Sequence, residues 1–154
     1  MIGRLVDRLT ALTRLAAAGF MAVMAAVLAA EVFCRYALNS SLYFAEELSR
    51  FCFVWAGFLG ASLAFREGGH IAVTLLTDRL GPAARARALA LARALTLVLL
   101  AVITGAGISI LPDQWAQATA TLGFSVFWFY LAVPVGSALM GLQVLALLCS
   151  SRSR

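Results

Sequence analysis

Four long apolar stretches run along the chain, and short clusters of charged residues separate them. A helix needs about 20 predominantly apolar residues to cross the hydrocarbon core of a bilayer. The stretches reach this length and predict four transmembrane helices, at about 15–36, 44–65, 92–111 and 124–148. The pattern therefore predicts an all-α fold, an integral membrane four-helix protein with one membrane domain over residues 1–154.

The first stretch has a competing interpretation as a cleavable signal peptide. Such a peptide has a short apolar region that ends at a cleavage site of small residues. Here the apolar stretch is long enough to span a membrane, and Glu31 and Arg35 follow it. We therefore expect the first helix to be retained.

The amino-acid composition agrees with a membrane location. Of the 154 residues, 63% are hydrophobic and 12% charged, and the mean hydropathy is +0.96. Soluble domains are close to half apolar and about a quarter charged, and a small domain buries only roughly two-thirds of the surface of its unfolded chain. This composition excludes a soluble enzyme and a soluble nucleic-acid-binding module.

The basic residues are distributed unevenly across the predicted spans. All 12 are arginines, and ten of them precede the first span, lie between the second and third, or follow the fourth. Only Arg35 and Arg50 lie on the other side. Because cytoplasmic segments carry an excess of Arg and Lys, both termini are predicted to be cytoplasmic. The net charge of +5 then has anionic phospholipid as its counter-charge and needs no nucleic-acid partner.

Two segments of the chain predict local irregularities. Residues 71–80 are mostly apolar and can lie in the membrane interface as a short in-plane helix between the second and third helices. Gly81 and Pro82 then stop this segment and start the next helix, with proline at its first position. In the fourth helix, Pro134 cannot bond the Tyr130 carbonyl, so a kink or a local loosening is expected there.

Small residues recur along the faces of the predicted helices. Ala56, Gly60 and Ala64 follow one another at intervals of four on the second helix. Such a stripe lets helix backbones approach closely inside a membrane, where van der Waals contact drives association. The stripe predicts packing against another helix.

Cysteine and histidine offer little cofactor chemistry. The three cysteines are isolated from one another, and His70 is the sole histidine. A redox-active disulfide or a cysteine metal site needs paired cysteines, and a membrane cytochrome needs axial haem ligands on facing helices. We expect no metal and no other cofactor.

The ionisable residues near the predicted outer face form two pairs. Glu31 and Arg35, and likewise Glu46 and Arg50, are four residues apart and can meet on one helix face. Each pair can either contact a partner or satisfy itself at a helix end, and for Glu31 with Arg35 both interpretations remain open. Glu47 adds a second acid beside Glu46, which exceeds what one arginine neutralises and favours a partner contact.

One family shares a run of motifs with this chain. The motifs are Arg35-Tyr36, the segment from Asn39 to Arg50, Trp55, Gly57, Leu59-Gly60-Ala61 and the segment from Arg66 to Ile71. In this order they resemble the small membrane subunit (DctQ-like) of tripartite ATP-independent periplasmic (TRAP) transporters. Two positions depart from the family pattern, Tyr43 where tryptophan is usual and Thr74 where an acidic residue is common.

The resemblance implies a function that the residues alone do not give. It implies a non-catalytic scaffold in the bacterial inner membrane, beside a large multi-span membrane subunit that imports organic, carboxylate-bearing solutes. An ion gradient, usually of sodium, drives the import, and a periplasmic substrate-binding protein delivers the solute. The small subunit is implied to hold neither a substrate site nor an ion site and to be no enzyme.

The resemblance also suggests which residues meet these partners. Near the outer face the candidates for contact with the large subunit or the binding protein are Arg35, Glu46, Glu47 and Arg50. Trp55 and Gly60 are candidates for packing against the large subunit or within the four helices. Arg66 and His70 mark the inner end of the second helix, where a histidine is typical of a hydrogen-bonded helix end.

Two other functional classes remain open from the sequence. A small multidrug/proton antiporter also has four short helices and couples protons through a membrane glutamate, for which Glu31 is the candidate. Arg35 one turn away and the near-interface depth of Glu31 argue against this class. The second class is a membrane anchor or assembly factor that has no transport partner.

Overall fold

The structure is a computed structural model that describes residues 2–66 and 81–151. It contains the helices α1 (Ile2–Ala37), α2 (Tyr43–Arg66), α3 (Pro82–Gln114), α4 (Phe127–Tyr130) and α5 (Ala132–Ser151). Four helical spans, the last made of α4 and α5 together, are long and apolar enough to cross a membrane. The predicted all-α class with four such spans is confirmed. The predicted interfacial helix and His70 lie outside the described residues.

Two helices extend well beyond the spans that hydropathy predicts. α2 agrees with the prediction to within one residue at each end, whereas α1 begins at Ile2 and α3 begins at Pro82. Hydropathy identifies only the part of a helix that lies in the hydrocarbon core of the membrane. The extensions are rich in Ala, Leu and Arg, which favour helix in any solvent, so the helices continue past the apolar segments. Pro82 is the first residue of α3, as predicted.

The last span is interrupted at Leu131, between α4 and α5. Pro134 lies in the first turn of α5 and has no N–H with which to bond the Tyr130 carbonyl. The helix loosens in the turn before the proline and resumes at Ala132. The predicted loosening is confirmed.

The long helices pack side by side in the order α1, α2, α5, α3. α1 packs on α2, α2 on α5, and α5 on α3, while the short α4 contacts α2, α3 and α5. In the most apolar part of α1 and of α3, 6% of the residues are buried, against 22% in α2 and 39% in the span of α4 and α5. The edge helices therefore keep most of their apolar surface for lipid or for another protein.

The tightest helix contact joins α2 to α5. A Cβ atom on Gly136 would lie 2.6 Å from the Phe58 Cβ, so only glycine fits at this crossing. α5 meets α3 through a hydrogen bond of 2.8 Å between the Ser137 and Thr104 hydroxyls. The apolar core that these three helices share centres on Leu100, Met140 and Val144.

The row of helices has two ends. We call the end with the connections 38–42 and 115–126 the loop end, and the end with Ile2 and Ser151 the terminal end. The sequence places Arg35 and Arg50 at the loop end, and the structure places both there.

Candidate functional site

The short connection between α1 and α2 is closed by Glu31. Its Oε1 accepts hydrogen bonds from Arg35 (Nε at 3.0 Å, Nη2 at 2.5 Å) and from the Ser41 hydroxyl at 2.8 Å. Its Oε2 accepts the Leu42 backbone N–H at 2.6 Å. Glu31 is 8% exposed, and these donors replace the water that a carboxylate needs. The predicted pairing with Arg35 is confirmed, and the carboxylate also fixes the turn.

Glu46 and Arg50 form an ion pair on the surface of α2. Arg50 Nη2 lies 2.7 Å from Glu46 Oε1, and the two side chains are 67% and 81% exposed, respectively. An ion pair this open contributes little to stability, because water and salt screen it. Both charges therefore remain accessible to another molecule. Whether a partner contacts them stays a prediction.

Glu47, the next residue, has a different contact. Its Oε2 accepts the backbone N–H groups of Thr121 at 3.1 Å and of Leu122 at 2.8 Å. These two residues lie in the connection between α3 and α4, more than 70 positions further along the chain. Glu47 therefore joins α2 to that connection, a contact that no local pattern in the sequence predicts.

The connection 115–126 is folded as a small hairpin. The Thr119 N–H donates to the Phe124 carbonyl at 2.8 Å, and the Val126 N–H donates to the Gln117 carbonyl at 2.8 Å. Gly123 has a φ of +66°, a conformation that glycine adopts without steric cost. The hairpin turns its tip, with Thr121 and Leu122, toward Glu47.

The side chain of Trp55 contacts other helices of this chain and holds the start of the last span in place. Its indole Nε1–H donates to the Trp128 carbonyl at 3.1 Å. Its ring stacks on Phe20 of α1 at 5.8 Å and lies 6.3 Å from Phe51, which in turn meets Phe129 edge-on at 5.1 Å. The indole bonds a carbonyl beside the helix interruption, and the ring joins α1 to α2.

Gly60, by contrast, faces open space. No atom lies within 4 Å of the point where a Cβ would be built on it. Ala56, one turn before, is buried, whereas Ala64, one turn after, is exposed. The predicted small-residue stripe thus has two parts: Ala56 is buried within the chain, whereas a Cβ at Gly60 would meet no atom of residues 2–66 and 81–151 within 4 Å and Ala64 is exposed.

Arg66 ties the terminal end of α2 to α1. It forms an ion pair with Asp7 and a hydrogen bond with the Thr10 hydroxyl. Gln143 of α5 donates from Nε2 to the same hydroxyl at 3.2 Å. Thr10 and Gln143 are 6% and 3% exposed, so their hydrogen bond lies in a buried polar layer between three helices, with the Arg66–Asp7 ion pair at its more exposed edge. A glutamine inside an apolar span is the one sequence signal for this layer.

The described residues hold no group suited to a metal ion. Across residues 2–66 and 81–151, no three His, Cys, Asp or Glu side chains converge on one point. Cys34 and Cys52 are both free thiols. The polar side chains described above bond one another and the backbone.

Comparison with known proteins then decides the family. A family model described as "Tripartite ATP-independent periplasmic transporters, DctQ component" matches residues 24–154. The chain belongs to this family. The family resemblance that the sequence suggests is confirmed, and the chain is a DctQ-like protein related to the small permease subunits of TRAP transporters.

Three relatives are similar to this DctQ-like chain. A putative TRAP transporter small permease protein of Haemophilus influenzae is 42% identical over 66 residues, 43% of this chain and 41% of the relative. The sialic acid TRAP transporter small permease protein SiaQ of Vibrio cholerae is 31% identical over 126 residues, 78% of this chain and 69% of the relative. The sialic acid TRAP transporter permease protein SiaT of Haemophilus influenzae is 30% identical over 114 residues, 74% of this chain and 18% of the permease.

Proposed function

We propose that this chain is the small scaffold subunit of a TRAP transporter in a bacterial inner membrane. In this role it catalyses no reaction and braces a large multi-span subunit that carries out ion-driven import of an organic solute. Membership of the DctQ component family is the observation that carries the proposal.

The contacts of Glu31 support a scaffold over an antiporter. A proton-coupling glutamate must exchange its proton with water or substrate during transport. Glu31 instead accepts four hydrogen bonds from Arg35, Ser41 and Leu42 at 2.5–3.0 Å and closes a turn. This carboxylate therefore has a structural role, which is to fix the turn between α1 and α2.

The relation to SiaT supports a large permease as the partner. The segment similar to this chain is 18% of that permease, so in Haemophilus influenzae a sequence of this kind is part of a much longer membrane protein. In this chain the open face of α2, with Gly60 and Ala64, offers small residues against which a helix of a separate large subunit can pack.

The distribution of arginine supports a periplasmic loop end. Arg8 and Arg14 of α1 and Arg85, Arg87 and Arg93 of α3 all lie toward the terminal end, outside or at the edge of the apolar segments. By the positive-inside rule the terminal end is cytoplasmic, with phospholipid phosphates beside these arginines. The loop end, with Arg35, Glu46 and Arg50, then meets the substrate-binding protein in the periplasm.

The solute that we propose carries a carboxylate, and the coupling ion is sodium. Two of the similar proteins are named for sialic acid, a carboxylate-bearing sugar. The small subunit does not select the solute in this proposal: the carboxylates of Glu31, Glu46 and Glu47 bond arginine side chains or the backbone of this chain.

Reconstitution in liposomes tests the proposal. We expect no uptake by the chain alone, no uptake by the large subunit alone, and sodium-dependent uptake when both are present with the binding protein. Radiolabelled sialic acid and a C4-dicarboxylate serve as probes. Uptake of either probe by the isolated chain would overturn the scaffold function.

A further inference from the structure

One carboxylate of α2, that of Glu47, accepts backbone hydrogen bonds from the tip of the hairpin 115–126. The base of the hairpin is held by Ser125, whose hydroxyl donates to the carbonyls of Gln114 at 3.2 Å and Trp115 at 3.0 Å. At the tip, the N–H groups of Thr121 and Leu122 point away from the hairpin's own ladder and bond Glu47. Without an acceptor at position 47, these two donors lose their hydrogen-bond partner, and the tip is held less firmly beside α2.

The same tip forms one wall of an open polar cavity. The cavity has a volume of about 220 Å³ and is lined by Tyr43, Glu46, Glu47, Arg50, Ala120 and Thr121. One wall is the first turns of α2 with the exposed Glu46–Arg50 pair, and the other is the hairpin tip. Because Glu47 joins the two walls, it sets the width of the cavity.

We propose that Glu47 is a positioning residue for docking of the binding protein. It holds the hairpin tip at the distance from Glu46 and Arg50 that the docked protein requires, and it acts through the tip without touching the partner. This inference rests on the proposed function, in which the loop end faces the periplasm. The two adjacent glutamates then have different roles, since Glu46 presents its charge to the partner and Glu47 fixes the position of the surface beside it.

Positioning and direct charge recognition give different mutational patterns. Glu47→Gln removes the charge but keeps a side-chain oxygen that accepts from the tip, whereas Glu47→Ala removes the acceptor as well. A positioning residue is therefore rescued by glutamine. A residue whose charge contacts the partner is not rescued.

The test uses the complex of this chain with the large subunit of its own transport system in lipid nanodiscs. The labelled binding protein of that system is titrated onto it, and the dissociation constant is measured. We expect Glu47→Ala to raise the dissociation constant about tenfold and Glu47→Gln at most about threefold. Asp113→Asn, which removes an exposed charge from the same end, is the matched control and leaves the constant within about twofold of the wild type.

Three outcomes overturn the inference. The first is a wild-type constant for Glu47→Ala, and the second is an equal weakening by glutamine and alanine, which would mean that the charge itself is recognised. If Glu47→Ala does not assemble, Leu122→Pro removes one donor and keeps Glu47, and a wild-type constant for that variant is the third. A wild-type complex that fails to bind the binding protein would instead count against the proposed function.

Discussion

The two faces of α2 differ in what they contact. One face carries Glu47, Phe51 and Trp55 at intervals of four residues, and each of these side chains contacts the hairpin or the last span. The opposite face is open from the loop end to the terminal end and carries Glu46, Arg50, Phe53, Gly57, Gly60 and Ala64. Adjacent residues on a helix point about 100° apart, so neighbours in sequence serve different surfaces.

One face of α2 therefore holds the fold together, and the other remains exposed. The contacting face uses large rings and hydrogen bonds, which fix the neighbouring elements in place. The open face uses glycine and alanine with an exposed ion pair, which contribute little to the stability of the isolated chain. Side chains of this second kind are suited to a contact that forms later, with another protein.

Adding a methyl group where α5 crosses the contacting face of α2 is expected to have the largest effect on the stability of the isolated chain. In Gly136→Ala the new Cβ lies 2.6 Å from the Phe58 Cβ, so the two helices must move apart. We expect a loss of roughly 1–3 kcal/mol in the free energy of unfolding, measured by denaturation of the purified chain in detergent. Gly141→Ala, on the same helix but with open space around it, is the control. Equal stability of the two variants would contradict the tight crossing.

Removing the arginine at the terminal end of α2 is expected to have the next largest effect. Arg66→Met breaks the ion pair with Asp7 and the hydrogen bond to the buried Thr10, at a cost of roughly 1–2 kcal/mol. Arg50→Met breaks only the exposed pair with Glu46 and is expected to leave the thermal unfolding midpoint nearly unchanged. If both variants lower the midpoint equally, the two arginine contacts contribute equally to stability, and the proposed difference between the faces of α2 is wrong.

Filling the open face is expected to have the smallest effect on the isolated chain. A Cβ at Gly60 has no atom of the described residues within 4 Å, so we expect Gly60→Leu to keep an unfolding midpoint close to that of the wild type. In the complex, the added side chain occupies the space of a packed helix, and the yield of co-purified large subunit should fall severalfold. Gly60→Ala should give an intermediate yield. Full recovery of the complex with leucine would show that this face meets lipid.

The local features of the fold could be predicted because their causes are local. The pairing of Glu31 with Arg35 follows from a spacing of four residues on a helix, and the loosening near Leu131 follows from the missing N–H of Pro134. The start of α3 at Pro82 follows from the fixed φ of proline. Hydropathy located all four spans, although it missed the first turns of α1 and α3, where helix propensity extends the helix outside the apolar segment.

The roles of the candidate residues could not be predicted in the same way. The contacts of Glu47 with Thr121 and Leu122, and of Trp55 with Trp128, join positions more than 70 residues apart. Sequence alone groups Glu46 with Glu47 as one acidic pair, because it gives no information on which elements lie beside each face of α2. The buried layer of Thr10, Arg66 and Gln143 was missed for the same reason.

The sequence by itself determined the class of protein, the four spans, the family and the pairs that lie within one helix turn. These properties depend on composition and on spacings of three to four residues, which do not change with the arrangement of the helices. Only the tertiary structure decided the helix order α1, α2, α5, α3 and the separate roles of Glu46 and Glu47. Those depend on which helix faces meet, and inside a membrane packing shape and hydrogen bonds select these faces, since hydropathy is the same on all sides.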